Sequence, residues 1–415
     1  MSVVQVWIDD DELGDLTLAG SLIRSTSKTG EVVRFQYSND WLHDAGSISS
    51  FELDNDLVMS SGPLYANAGA GQLTGIFMDC SPDRWGKMLM ERREAIEARA
   101  ERRRIRPLHS WDFLLGVNDA SRMGAIRLQD AETGQFLDTR ELGVPPVTEL
   151  RALEGAADKV ERGSDADLAR WIGQLMAPGA SLGGARPKAG FRDTDGRLWL
   201  AKFPSAEDRR DVGLWEYFTY QLSLSAGIDM PQAQVLKLSP RGHTYAVRRF
   251  DRTSTSRRLY ASAMTRLGRS DSDGASYLDI VQAIENGGPS ARIGSDLEQL
   301  FRRVLFNILI GNRDDHLRNH GFLRQGNGWA LSPAFDVNPN PDKVSHVLAI
   351  DEADTSSDSQ LLRATAAFYR LKPRRAQAIE RQVRDALRGW EKRAKALGLR
   401  RSEIDLMSDA IDPDR

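Results

Sequence analysis

The spacing of apolar and polar residues predicts a β-rich beginning followed by a helix. Segments 3–8, 32–37 and 51–58 alternate or cluster apolar residues between Asp, Gly and Ser, which is typical of strands in a small sheet. After Ser81-Pro82-Asp83 the spacing becomes helical, and we expect an N-cap at Ser81 and a helix end near residue 104. We interpret the arginine-rich run 99–106 as the solvated end of that helix, with a phosphate-contacting patch as the alternative.

The middle of the chain predicts two β-hairpins on either side of a helix. A glycine-rich turn at 181–188 precedes the first hairpin, and a helix over about 211–226 ends before Gly227. A hairpin with a glycine-rich tip, a helix and a second hairpin follow one another in the same order in the N-lobe of a protein kinase. The four strands are predicted at 189–192, 197–203, 233–238 and 243–250.

The last third of the chain is dominated by helical spacing. Segment 296–310 has an apolar stripe of period 3.6 and predicts a well-buried helix. A short hairpin is expected from 321–324 and 329–331, and the last 70 residues, including 376–397, are expected to be mostly helical. We therefore predict an α+β fold of the two-lobed protein-kinase type, with an extra N-terminal β-rich subdomain and a largely helical C-terminal lobe.

The same pattern predicts three domains. Residues 1–110 would form the N-terminal subdomain, residues 111–252 a part like a kinase N-lobe that carries the glycine-rich loop, and residues 253–415 the helical catalytic lobe.

Composition narrows the class of protein. Of the 415 residues, 40% are hydrophobic and 28% are charged, as in ordinary globular proteins. A net charge of −3 argues against a chain that binds nucleic acid by itself, and the single cysteine excludes a disulfide framework. The first residues do not resemble a signal peptide, and no apolar run reaches the roughly 18 residues of a membrane span. We expect a cytoplasmic protein without membrane contact.

The stretch Asn312-Arg313-Asp314-Asp315-His316-Leu317-Arg318-Asn319 contains Asp-x₄-Asn, the spacing of a kinase catalytic loop. In such a loop the Asp orients the attacking hydroxyl and accepts its proton, and the Asn binds Mg²⁺. Asp336 follows Asn319 after the predicted hairpin, where a kinase places its second metal carboxylate. We interpret His316 and Asp315 as structural residues of the loop rather than as a metal ligand or a base.

Two segments could bind a nucleotide. Paired glycines in Ser181-Leu182-Gly183-Gly184-Ala185-Arg186 allow main-chain N–H groups to approach phosphates, although such glycines also simply form turns. Lys202 lies in an apolar strand, where a lysine is costly to bury unless it meets an anion. The alternative is a solvent-facing lysine on an edge strand. Glu216 on the following helix could pair with Lys202, and 248–252 lies where a hinge would pass the adenine.

These motifs together resemble the HipA family, whose members are bacterial serine/threonine kinases and toxins of type II toxin–antitoxin modules. The resemblance covers nearly the whole chain. The matching segments are Ser81-Pro82-Asp83-Arg84-Trp85-Gly86, 181–188, Lys202, Arg249-Phe250-Asp251-Arg252, 312–320 and Phe335-Asp336-Val337.

The resemblance implies a role for each matching residue. Asp314 would be the catalytic base, and Asn319 and Asp336 would bind Mg²⁺. ATP would be held through its phosphates by Lys202 and the glycine-rich loop, and through its adenine by the main chain around Arg248 and Phe250. Ser181 would match the serine that these kinases autophosphorylate to inactivate themselves.

The resemblance also implies partners. A small helix-turn-helix antitoxin would neutralise the toxin, and DNA would be bound only indirectly, through their complex. The best-known family member phosphorylates glutamate–tRNA ligase, which arrests growth and promotes persistence, so an aminoacyl-tRNA ligase is the implied protein substrate. Two alternatives stay open. One is a catalytically silent antitoxin-binding co-repressor, and the other is a kinase of a small molecule or lipid with a related fold.

Overall fold

A computed structural model describes residues 2–27, 30–43, 50–67, 69, 72–138, 144–163, 172, 175 and 186–415. The chain divides into two compact units. The first unit consists of Met1–Glu207, Leu238–Pro240 and Ala246–Ala261, and the second of Asp208–Lys237, Arg241–Tyr245 and Ser262–Arg415. The division into three domains at residues 110 and 252 stays a prediction.

The first unit contains a five-stranded antiparallel sheet in the order β3-β2-β1-β4-β5. In the first strand Val4, Val6 and Ile8 are buried and alternate with more exposed residues, as the sequence predicted. The prediction of a strand at 51–58 is wrong, because Asp54 folds that segment into turns by accepting the N–H groups of Asp56 and Ile76. The strands are β1 Ser2–Ile8, β2 Thr17–Ser27, β3 Gly30–Tyr37, β4 Ile126–Asp130 and β5 Phe136–Leu137.

The segment 81–86 forms the N-terminal cap and first turn of helix α3. Its N-cap is Asp83, whose carboxylate accepts the N–H of Gly86 at 2.8 Å, so the predicted cap at Ser81 is wrong. The helix ends at Ala100, and Arg103 beyond it forms an ion pair with Glu94 rather than simply pointing into solvent. The helices of this unit are α1 Asn39–His43, α2 Gly75–Asp79, α3 Arg84–Ala100, α4 Ser110–Leu115 and α5 Leu150–Arg162.

Cys80 directly follows α2 and is buried. Its Sγ lies 3.5 Å from the carbonyl oxygen of Met123. Burial raises the pKa of the Cys80 thiol to about 12, so the group is a neutral thiol at physiological pH.

The two predicted hairpins join in one sheet of order β6-β7-β9-β8. Its strands are β6 Lys188–Arg192, β7 Leu198–Lys202, β8 Ala233–Ser239 and β9 Gly242–Arg248. Helix α6, Val212–Ser225, begins after the N-cap Asp211, and Gly227 follows it with a φ of 76°. The sequence predicted each of these elements to within a few residues, because the turns and caps that bound them are encoded locally.

The second unit is built around helix α9, Ile293–Ile310. The apolar stripe of this helix, which includes Leu297, Leu300 and Val304, is fully buried, as predicted. Strands β11 Gly321–Gln325 and β12 Gly328–Leu331 form the predicted hairpin, and β10 Tyr260–Ser262 precedes it in a sheet of order β10-β11-β12. The remaining helices are α7 Ala263–Arg266, α8 Tyr277–Gly287, α10 Ser359–Ala364, α11 Pro373–Leu387, α12 Trp390–Leu397 and α13 Arg401–Met407.

The segment 376–397 is mostly helical, as predicted, and consists of part of α11 and all of α12. They are separated at Gly389, which has a φ of 63°, a conformation that ends a helix and that glycine adopts without strain. Within the described ranges, no helix combines the length and apolar composition that crossing a bilayer requires.

Candidate active site

The predicted catalytic loop leaves the end of the buried helix α9. Gly311 terminates this helix with a φ of 67°, and a Cβ at this position would lie 2.8 Å from the carbonyl oxygen of Ala410, so glycine is required twice over. The loop then passes through a 3₁₀ turn, Leu317–Asn319, into β11. Asp314 is exposed and Asn319 is half-buried. Both lie on a loop between a buried helix and a hairpin, which hold the loop in place.

The buried side chain of Asp315 fixes this loop through hydrogen bonds to its neighbours. The carboxylate is buried and accepts hydrogen bonds from the Tyr277 hydroxyl at 2.7 Å, from Asn307 Nδ2 at 2.8 Å and from His320 Nε2 at 2.8 Å. Burial would raise the pKa of Asp315, but His320 and the Tyr277 hydroxyl together hold it below its ordinary value. The residue is therefore a structural anchor beside the exposed Asp314, in agreement with the interpretation from sequence.

Asp336 lies on the segment that follows β12. It has a φ of 54°, a left-handed conformation that is rare for residues other than glycine and that concentrates at functional sites. The segment is fixed on both sides, since the Ala334 N–H donates to the Asp229 carbonyl and the Asn340 N–H donates to the Gly311 carbonyl, each at 2.8 Å. Asp336 is thus held in an unusual backbone conformation by a segment that is hydrogen-bonded to the start of the predicted catalytic loop.

The donor chemistry of Asn319 and Asp336 suits Mg²⁺. One amide oxygen and one carboxylate are hard ligands, and Mg²⁺ in kinases completes its octahedron with phosphate oxygens and water. In the part of the chain that the structure describes, no group of three or more His, Cys, Asp or Glu side chains is placed to hold a metal. Asn319 and Asp336 would each supply one oxygen ligand, which suits a metal that kinases bind together with the nucleotide phosphates.

Two buried lysines face each other in the first unit. Lys188 on β6 and Lys202 on β7 are directly opposite in the antiparallel register, so their side chains lie on the same face of the sheet. Lys202 is only 8% exposed, as its apolar strand predicted, so the alternative of a solvent-facing lysine is wrong. Asp83 forms an ion pair with Lys188 while its other oxygen caps α3. A buried lysine on this face of the sheet is costly unless its ammonium group meets an anion, so the proposed contact of Lys202 with a phosphate stays a prediction.

Other predicted site residues stay untested. Ser181, Gly183, Gly184 and Ala185 lie outside the described residues. Glu216 is buried on α6 and belongs to a different unit from Lys202, so the proposed ion pair stays a prediction.

The segment predicted to hold adenine contains a buried ion-pair cluster formed by Arg249, Asp251 and Arg252. Asp251 is fully buried and accepts hydrogen bonds from Arg249 Nε at 2.6 Å, Arg252 Nη1 at 2.6 Å and the Gly124 N–H at 2.8 Å. Burial would raise the pKa of Asp251, but the charges of Arg249 and Arg252 hold it below its ordinary value. Arg248 and Phe250 lie next to Arg249 of this ion-pair cluster in the sequence and are half-buried. Their proposed contact with adenine stays a prediction.

We expect Asp251→Asn to lower the free energy of unfolding by about 3–5 kcal/mol, because it leaves two buried guanidinium groups without their carboxylate. The depressed pKa means that this stabilisation is present at neutral pH and is lost as the pH falls below the ordinary Asp value of 3.8. Chemical denaturation from pH 7 to pH 3 measures both effects. Asp195→Asn, in the exposed turn between β6 and β7, is the matched control and should change stability by less than about 0.5 kcal/mol. Equal stability of the two variants would contradict the stabilising role of the buried Asp251 carboxylate.

The sequence pattern did not reveal Tyr277, Asn307 or the pairing of Asp83 with Lys188. Asn307 offered a signal, since it is a polar residue within the buried part of α9. A polar side chain in such a position requires a partner.

Comparison with known proteins gives a consistent result. The model of a family described as "HipA-like C-terminal domain" matches residues 180–390. A protein of Haemophilus influenzae named "Putative kinase" is 25% identical over 167 residues, which are 35% of this chain and 47% of the relative. A "Putative kinase" of Sinorhizobium fredii is 27% identical over 177 residues, 39% of this chain and 41% of the relative. The match thus spans less than half the length of either curated relative.

A solved structure extends the likeness to nearly the whole chain. HipA of Shewanella oneidensis, in a complex with HipB and operator DNA, has a TM-score of 0.64 and 16% identity, and the match covers 98% of this chain and 94% of that chain. At this identity the likeness shows the fold alone, and it confirms the predicted α+β class.

Proposed function

Since the chain belongs to the family with a HipA-like C-terminal domain, we propose that it is an ATP- and Mg²⁺-dependent serine/threonine protein kinase and the toxin of a bacterial toxin–antitoxin module. The observation that carries the proposal is the arrangement at the end of α9. There an exposed Asp314 is braced by the buried Asp315, and the loop that bears it is tied to the segment of Asp336.

Each residue of this arrangement has a role in the proposed reaction. Asp314 accepts the proton of the acceptor hydroxyl as its oxygen attacks the γ-phosphorus of ATP. Asn319 and Asp336 hold Mg²⁺, which offsets the charge on the phosphate oxygens. Lys202, with Lys188 opposite it, supplies positive charge for the ATP phosphates. The main chain around Arg248 and Phe250 holds the adenine, and Glu216 orients Lys202.

The proposed partners follow from the relatives. The Shewanella protein is in a complex with HipB and operator DNA, so we propose a small helix-turn-helix antitoxin as the partner, with DNA bound only through that complex. For the substrate we propose a component of translation such as an aminoacyl-tRNA ligase, whose phosphorylation would arrest growth.

Transfer of labelled phosphate from ATP to proteins of a bacterial lysate tests the activity directly. We expect Mg²⁺-dependent labelling of a protein band that is absent when EDTA is added. Labelling of small molecules or lipids alone would support a different kinase. Antitoxin binding without any transfer would support the co-repressor.

We also propose that Ser181 is the site of autophosphorylation. A phosphate adds about −1.5 to −2 charges at neutral pH and would repel the phosphates of ATP, so modified protein should lose activity. Phosphopeptide mass spectrometry after incubation with ATP and Mg²⁺ measures the modification, with Asp314→Asn as the inactive control. Active protein that carries no phosphate on Ser181, or that keeps full activity when modified, would contradict the proposal.

A further inference from the structure

The Asp314 carboxylate forms an ion pair with a lysine from another segment. Lys343 Nζ contacts Oδ1 of Asp314, although the side chains of both residues are well exposed. Among the residues that the structure describes, no other group donates a hydrogen bond to this carboxylate. One oxygen of Asp314 is therefore engaged by a cation, and Oδ2 remains available for another donor.

The main chain of Lys343 is fixed by the residue next to Asp314. The guanidinium of Arg313 donates through Nη1 to the carbonyl oxygen of Lys343 at 2.8 Å and to that of Asn340 at 3.4 Å. Arg313 is only 8% exposed, so this contact is far more restrained than a surface ion pair. The Asn340 N–H closes the connection by donating to the Gly311 carbonyl at 2.8 Å.

The two segments thus hold each other reciprocally. The catalytic loop fixes the main chain at Lys343 through Arg313, and the Lys343 side chain returns to the neighbouring Asp314. An exposed Lys–Asp pair contributes at most about 1 kcal/mol to stability, so folding alone gives little reason for this arrangement. Orientation of a reacting group is a better reason, since small displacements at a reaction centre cost much in rate.

We propose that Lys343 is a positioning residue for phosphoryl transfer, and this inference rests on the proposed function of Asp314. Lys343 holds Oδ1 so that Oδ2 receives the acceptor hydroxyl. In the step, the hydroxyl oxygen forms a bond to the γ-phosphorus, the bond from that phosphorus to the β–γ bridging oxygen breaks, and ADP leaves. The hydroxyl proton goes to Oδ2 of Asp314, and Lys343 neither gains nor loses a proton.

Three variants test the inference in the labelled-ATP assay. Lys343→Gln keeps most of the stem and removes the charge, and Lys343→Arg restores a cation. Lys392→Gln, at an exposed lysine on α12 in the same unit, is the matched control. We expect Lys343→Gln to lower kcat about ten-fold, with KM for ATP and the melting temperature unchanged. Lys343→Arg should recover most of kcat, and Lys392→Gln should equal wild type.

A double variant separates action through Asp314 from direct action on the phosphates. In the Asp314→Asn background, Lys343→Gln should cause no further loss of the residual rate, because the group it positions is already gone. A further loss there, a change in KM for ATP instead of kcat, or wild-type kcat in Lys343→Gln would overturn the inference. Wild-type transfer with a normal Lys343→Gln variant would leave the proposed kinase intact. Absence of transfer in wild-type protein would remove both.

Discussion

Protein carrying Asp314→Asn is expected to lose phosphate transfer by about 10²–10⁴-fold, the range of a positioned general base. The amide keeps the shape of the side chain but cannot accept the proton of the acceptor hydroxyl. Stability should change by less than about 0.5 kcal/mol, because the side chain is 59% exposed and its contact with Lys343 is a surface ion pair. Initial rates of labelling and thermal unfolding measure the two effects on the same preparation.

A second exposed acid provides the control for this loss. Asp342 lies one residue before Lys343 and its side chain is 78% exposed, so Asp342→Asn removes the same charge from the same unit. We expect this variant to label substrate at close to the wild-type rate and, when expressed without an antitoxin, to remain toxic. A well-folded Asp314→Asn protein that transfers phosphate as fast as Asp342→Asn would refute the role of Asp314.

Replacing Asp336 should uncouple ATP binding from Mg²⁺. With one proposed metal ligand removed, ATP would be held chiefly by the proposed contact of Lys202 with its phosphates and by the proposed main-chain contact with its adenine. We expect the affinity of Asp336→Ala for ATP with Mg²⁺ to fall about ten-fold or more, about 1.4 kcal/mol, toward that of wild type in EDTA. Calorimetric titrations of both proteins with and without EDTA measure this directly.

The backbone at Asp336 determines which control is informative. Because its φ is 54°, alanine adds a conformational penalty of about 1–2 kcal/mol, whereas asparagine tolerates this region. Asp336→Asn therefore removes the charge and keeps the segment in place. Equal ATP affinity with Mg²⁺, with EDTA and in both variants would show that no metal bridges Asp336 to the nucleotide.

Features that are encoded within a few neighbouring residues were predictable from the sequence. Helix α9 has its stripe of buried residues in one stretch, and Gly227 ends helix α6 by its own conformational freedom. The Asp-x₄-Asn spacing places Asp314 and Asn319 on one short loop for the same reason. None of these features requires knowledge of a distant partner.

Contacts with a distant partner, and segments whose local pattern fits more than one structure, were not predictable. Asp83 meets a lysine 105 positions away, and Asp251 meets the Gly124 N–H 127 positions away. Neither separation leaves a periodic trace. Segment 51–58 has the composition of a strand, yet the Asp54 carboxylate satisfies nearby N–H groups and replaces a sheet ladder. Strand β2 was missed because its small and polar residues show no alternation.

Because the only native cysteine is buried, an introduced cysteine would be the only thiol that reacts in the folded protein. Thiol reagents attack the thiolate, and Cys80 combines burial with a pKa raised to about 12, so it should react with a maleimide only when the chain unfolds. Its rate of modification in native buffer thus reports the opening of the structure that exposes Cys80. A cysteine introduced at an exposed position such as Ser402 would carry the only fluorophore under native conditions, without removal of Cys80.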